Sequence, residues 1–220
     1  MEIIKIDNLS KKYLINDKRY NEVLKNLDLS VEEKDYLAIV GASGAGKSTL
    51  LNIILGFLNY DEGEVKIFSK EIKDLSDEEI SQLRSNKISF VPQELIVFPA
   101  LTIRENLQMK AEISNVKDFD CEKILEKYKM PELLKLNSAK NLSGGEIKKL
   151  MIVRALISEP EILILDEPTA NLDEEYVDQF LDLLDELNKK ITIIAVTHDL
   201  RLKNRAKKVY KLTGKKLIQE

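Results

Sequence analysis

Three predominantly apolar runs stand out along the chain: Tyr36–Val40, residues 162–165 and residues 191–196. Each is short and lacks the strict alternation of a half-solvated strand. Runs of this kind predict strands covered on both faces, as in a parallel sheet. Residues 2–6 and 27–31 predict two short strands, joined by the polar link Asn16, Asp17, Lys18 and Arg19. A turn at residues 61–64 leads into residues 65–68, which alternate and predict a hairpin strand. Ile88–Val91 is a strand stopped by Pro92. Helical spacing covers residues 50–55, 103–111, 120–129 and 147–157, with another helix opened by Pro131. Ser76 followed by three acids predicts an N-cap and a helix to about Ser85. Residues 174–190 are helical, with Val177, Phe180, Leu181, Leu184 and Leu187 on one core face. Residues 209–217 close the chain as a hairpin around Gly214. The basic run from Arg201 to Lys216 reads as a solvated face. Leu95, Ile96, Val97 and Phe98, ending at Pro99, form an apolar connection that is either a partner surface or a locally buried loop.

Composition narrows the picture. The 220 residues suit one domain, or one domain with an inserted lobe, and the formal net charge is only −4. That balance argues against a general nucleic-acid binder. One cysteine, Cys121, cannot form an internal disulfide and points to a reducing compartment. The start of the chain lacks the basic and apolar regions of a signal peptide. No apolar run approaches the roughly 20 residues of a membrane span. No internal repeat, low-complexity tract or flexible linker is visible.

The strongest chemical signal is Gly41, Ala42, Ser43, Gly44, Ala45, Gly46, Lys47, Ser48 and Thr49, between the strand at 36–40 and the helix at 50–55. Strand, glycine-rich turn and helix is the context that makes G-x-x-x-x-G-K-[ST] a phosphate-binding loop. Its curled amides form an anion nest at a helix's positive end. Lys47 reaches outer phosphates, and the Ser48 hydroxyl suits Mg²⁺.

Other candidates gain meaning beside that loop. Tyr13 reads as an adenine-stacking ring or as a packing tyrosine. Gln93, just past a strand end, reads as a metal or phosphate contact or as an ordinary loop residue. Ser143 and Glu146 form a capping box, and Gly144 and Gly145 at the helix start also suit close approach by an anion. Residues 161–168 form a strand ending in Asp166 and Glu167, and Pro168 predicts an extended Glu167. Asp166 is placed to hold Mg²⁺, and Glu167 to orient and deprotonate water. His198, the only histidine, follows the strand end at 196, where α/β sheets gather ligands.

In this order, with Asn171, Leu172 and Asp173 between the acids and His198, these motifs resemble the ATP-binding cassette (ABC) ATPase family from Ile3 to about Leu217. The resemblance implies an α/β fold: a P-loop NTPase (RecA-like) core with a mainly parallel sheet, an antiparallel β subdomain and an inserted α-helical subdomain. It divides a single domain, 1–220, into a core at 1–93 and 151–220 and a helical lobe at 94–150. It implies ATP and Mg²⁺ as ligands. Tyr13 takes the adenine, and Lys47 with the amides of residues 41–49 cradles the phosphates (the Walker A loop). Ser48, Gln93 and Asp166 (the Walker B acid) take the metal. Glu167 is the implied catalytic base, and His198 the implied γ-phosphate contact. Leu142, Ser143, Gly144, Gly145 and Glu146 resemble the signature that closes on ATP held by a second copy, with Asp173 a contact across that dimer.

The implied partners are a second copy, head to tail, and a membrane subunit gripped near Gln93, with no nucleic acid. The implied location is the cytoplasmic face of the membrane. Residues 75–84 and 98–106 are most similar to the branch for lipoprotein release and macrolide or peptide export. Two departures stand out. Ile147, Lys148 and Lys149 replace a common Gln-Gln-Arg after the signature, and Asp35 replaces a common glycine. Neither is expected to touch a catalytic group. Rival readings are an ATPase driving a cell-division or force-transmitting membrane complex, a soluble cassette of translation or repair, and a binding module that no longer hydrolyses. Glu167 and His198 speak against the last.

Overall fold

A computed structural model describes residues 1–16, 19–136, 138–170 and 172–220, so Asp17, Lys18, Asn137 and Asn171 lie outside the described residues. In chain order the first elements are β1 (Glu2–Asn16), β2 (Arg19–Glu32), β3 (Tyr36–Val40), α1 (Lys47–Ile54), β4 (Glu62–Ile67), β5 (Lys70–Glu71), α2 (Asp77–Asn86) and β6 (Ile88–Val91). The remaining elements are α3 (Ile103–Ile113), α4 (Cys121–Lys127), α5 (Gly144–Leu156), β7 (Ile162–Asp166), α6 (Glu174–Asn188), β8 (Thr192–Val196), α7 (Leu200–Arg205), β9 (Lys208–Thr213) and β10 (Lys216–Gln219).

The three apolar runs become neighbours in a six-stranded sheet of order β10-β9-β3-β8-β7-β6. It is parallel except for β10, which returns antiparallel on β9. Alternate residues face opposite layers. Tyr36, Ala38, Leu163, Leu165, Ile193 and Ala195 join a core with α3, α5 and α6. Leu37, Ile39, Ile162, Ile164, Ile194 and Val196 pack with α1 and the second sheet. That second sheet is antiparallel, order β2-β1-β4-β5. Full burial of each large apolar side chain contributes roughly 1.5–3 kcal/mol, against a β-propensity spread of about 1 kcal/mol. Packing, not propensity, therefore holds these strands. The mainly parallel core and separate antiparallel sheet match the expected fold class.

Several local expectations change. β1 and β2 run far past residues 6 and 27, as a long ribbon with register shifts. Asn8 (φ 51°) and Asn26 (φ 45°) are left-handed there and break the period-two pattern. The turn expected at residues 61–64 is instead largely strand, since β4 begins at Glu62. Pro131 opens a 3₁₀ helix, Pro131–Lys135, not an α-helix. The basic run is not simply solvated: Arg205 pairs with Asp182 and Asp185, and Lys208 with Asp35 at 2.7 Å. The left-handed residue before β3 is Lys34 (φ 62°), while Asp35 accepts the Glu32 amide at 2.8 Å. A glycine's freedom would serve at Lys34 rather than at Asp35.

Gly63 (φ 99°) sits where β4 meets the β1 bulge, and a Cβ there would lie 2.6 Å from the carbonyl oxygens of both Asp7 and Asn8. Backbone cannot retreat cheaply, and the conformation is strained for any L side chain. Gly63→Ala is expected to lower unfolding free energy by at least about 1 kcal/mol in urea titration. An unchanged midpoint would contradict this account of the ribbon.

Candidate active site

The phosphate loop leaves β3 and enters α1 at Lys47. Gly46 caps α1 in the left-handed region (φ 104°) with no side-chain bond to the helix amides. A Cβ on Gly46 would meet Val23 Cγ1 at 2.8 Å, so the loop packs tightly on β2. The first amides of α1 thus carry no side-chain cap, and no acid stands in its first turn.

Lys47 is 8% exposed. Its ammonium donates to the carbonyls of Gly41 (2.7 Å) and Ala42 (3.1 Å) and lies 3.4 Å from His198 Nε2. Ser48 Oγ donates to Asp166 Oδ2 at 3.2 Å. Burial pushes the Asp166 carboxyl up from its ordinary value, opposed by that hydroxyl and by the charges of Lys47 and Lys148.

Glu167 departs from the extended conformation expected of a residue before proline: its φ is 46°. Proline disfavours the right-handed helical region but leaves the left-handed one open. The Glu167 amide donates to the Val196 carbonyl at 2.9 Å, and its own carbonyl accepts from Ala170 at 3.2 Å. The carboxylate accepts the His198 amide at 3.1 Å and lies 3.4 Å from His198 Nε2. A strained, non-glycine residue held this way at a strand end is a frequent mark of function.

A cavity of about 640 Å³ gathers Ser43, Gly44, Lys47, Ser48, Thr49, Gln93, Asp166, Glu167 and His198. Val23 and Ala170 also line it, and neither was anticipated. Val23 lies on the part of β2 that the broken alternation concealed. Tyr13 does not line the cavity; it is 39% exposed, and its hydroxyl lies 3.4 Å from Oγ1 of Thr49, which does.

The signature residues do not line this cavity. Ser143 caps α5 in a full capping box: its amide donates to Glu146 Oε2 (2.7 Å) and its Oγ accepts the Glu146 amide (3.3 Å). Asp173 precedes α6 and makes no side-chain cap bond. Lys148 comes closer to the chemistry than expected, being fully buried and donating to the Pro92 carbonyl at 3.1 Å. Among the described residues no group of three or more His, Cys, Asp or Glu could hold a metal. The donors here are instead one hydroxyl, one amide and one carboxylate, the hard-oxygen set that suits Mg²⁺ shared with phosphates.

A glycine-rich loop between a parallel strand and a helix, with an acid at a nearby strand end, defines a phosphate-loop nucleotide-binding protein. The ABC transporter family profile matches residues 24–170, and the chain belongs to that family. A lipoprotein-releasing system ATP-binding protein LolD of Saccharophagus degradans is 38% identical over 216 residues, covering 96% of this chain and 94% of the relative. The macrolide export ATP-binding/permease protein MacB of Bdellovibrio bacteriovorus is 34% identical over 96% of this chain, but over only 32% of its own length. The dimeric post-hydrolysis structure of the cassette MJ0796, bound to ADP and Pi, is similar at TM-score 0.90 and 30% identity, covering 99% of this chain and 98% of that one.

Lys47→Ala is expected to weaken binding of a fluorescent ATP analogue at least about tenfold, the loss of one strong charge-assisted contact. Unchanged affinity would remove Lys47 from the phosphate site.

Proposed function

We propose that this chain is the ATP-hydrolysing subunit of a membrane ABC transporter of the lipoprotein-release or macrolide- and peptide-export type. The observation that carries the reading is the meeting of Lys47, Ser48, Asp166, Glu167 and His198 around one cavity at the strand ends. The similarity to LolD over 96% of the chain supports the transport role.

ATP enters with its phosphates on the loop amides, and Lys47 exchanges the Gly41 and Ala42 carbonyls for phosphate oxygens. The Tyr13 ring stacks on adenine. Ser48, Gln93 and Asp166 would hold Mg²⁺, which when bound neutralises phosphate charge. Glu167 orients a water and takes its proton as the water oxygen attacks the γ-phosphorus and the bond to ADP breaks. His198 contacts the γ-phosphate and also steadies Glu167.

One cassette presents only part of a site. Ser143, Gly144 and Gly145 of a second copy close on the γ-phosphate, with Asp173 contacting across the interface. The dimeric form of MJ0796 supports this arrangement. ATP then joins two cassettes, and hydrolysis lets them part.

The helical lobe at 94–150 carries the signature and adjoins the surface for the membrane subunit. Leu95, Ile96 and Phe98 are exposed there, as are Phe57 and Ile113. Phe57, Ile96, Phe98 and Ile113 line a groove of about 380 Å³ between lobe and core. Among the described residues no helix is long and apolar enough to cross a membrane. Attachment through this groove places the chain at the cytoplasmic face of its partner.

Glu167→Gln is expected to cut turnover at least about 100-fold, the scale of a lost general base. Light scattering should then show an ATP-dependent dimer that the parent protein only passes through. Parental turnover in this variant would rule out Glu167 as the base.

A further inference from the structure

Lys148 is an anomaly in α5. It is fully buried, although a buried ammonium loses several kcal/mol of hydration unless it is paired. The family resemblance puts an uncharged glutamine at this position, so the charge belongs to this chain. Burial lowers the Lys148 pKa, while the charges of Asp166 and Glu167 act against that shift. These two charges offset part of the cost of burial, and burial still outweighs them.

Among the described residues its ammonium has one direct protein acceptor in hydrogen-bond range, the Pro92 carbonyl at 3.1 Å. Pro92 directly follows β6 and is joined by one peptide bond to Gln93, which reaches the cavity. Helix α5 begins at Gly144, in the signature, so Lys148 sits one turn inside it. A single side chain therefore ties the helix that bears the signature to the segment that bears Gln93. Among the described residues Gln93 has no side-chain hydrogen bond that would aim it, so its placement depends on the backbone behind it.

We propose that Lys148 is a positioning residue for the metal side of the ATP site, holding Gln93 in place through the Pro92 carbonyl. This rests on the reading that Ser48, Gln93 and Asp166 hold Mg²⁺. It also gives the signature helix a direct mechanical link to its own chain's metal ligand.

The test is Lys148→Met, which keeps the unbranched apolar stem, one atom shorter than lysine, and removes the donor. Mant-AMPPNP affinity is measured by fluorescence with saturating Mg²⁺ and with none, and thermal midpoints are recorded alongside. Ile152→Val thins the packing of the same helix while leaving the Lys148–Pro92 hydrogen bond in place, and serves as control. The ratio of the two affinities is expected to fall at least about fivefold in Lys148→Met. Metal-free affinity should stay within about twofold of the parent, and Ile152→Val should keep the parental ratio. A parental ratio in Lys148→Met overturns the proposal alone, as does an equal fall in Ile152→Val. A parent protein with no Mg²⁺ dependence overturns the metal reading and this proposal with it.

Discussion

The site depends on a buried ammonium held in waiting. Lys47 is nearly withdrawn from water, and its charge is satisfied by two neutral carbonyls of its own loop. Neutral acceptors are adequate but weak partners. A phosphate oxygen makes charge-assisted bonds roughly twice as strong, so on the proposed reading a triphosphate wins the ammonium from the loop. The loop keeps its curl because Gly46 is left-handed and packed against Val23. Everything else in the cavity is arranged around the place where those phosphates must lie.

Sheet order explains that arrangement. β8 lies between β3 and β7, so the loop after β3, the acids after β7 and His198 after β8 emerge side by side. Parallel pairing puts all three at the same end, the usual ligand end of an α/β sheet. The Glu167 amide is bonded to Val196, which ties the β7 and β8 exits together. Ser143 sits outside the cavity, where its amide and hydroxyl complete the capping box of α5. Under the proposed function, a second copy's Ser143 supplies the contact that this one's own position does not.

Much of this was legible in the residues. Runs such as 36–40 are too short for helices and too uniformly apolar for an exposed strand, leaving few alternatives. The phosphate loop was legible because its glycines, lysine and serine have one shared physical purpose. The β1–β2 ribbon was not, because left-handed Asn8 and Asn26 introduce bulges that erase alternation. Glu167 was misjudged for a related reason: the residue before proline avoids one region, but tertiary bonding to Val196 selects among the rest. Lys148 hid behind its charge. It shares a helical face with Met151, Ile152 and Ala155, all buried, and that spacing was the available signal of its burial.

The most direct measurement is a crystal structure of Glu167→Gln with ATP and Mg²⁺. Two copies should face each other head to tail. Ser143 of each should lie within about 3 Å of the γ-phosphate of the nucleotide cradled by the other's Lys47. A nucleotide-loaded structure in which Ser143 faces solvent, with each γ-phosphate enclosed by one chain only, would contradict the account.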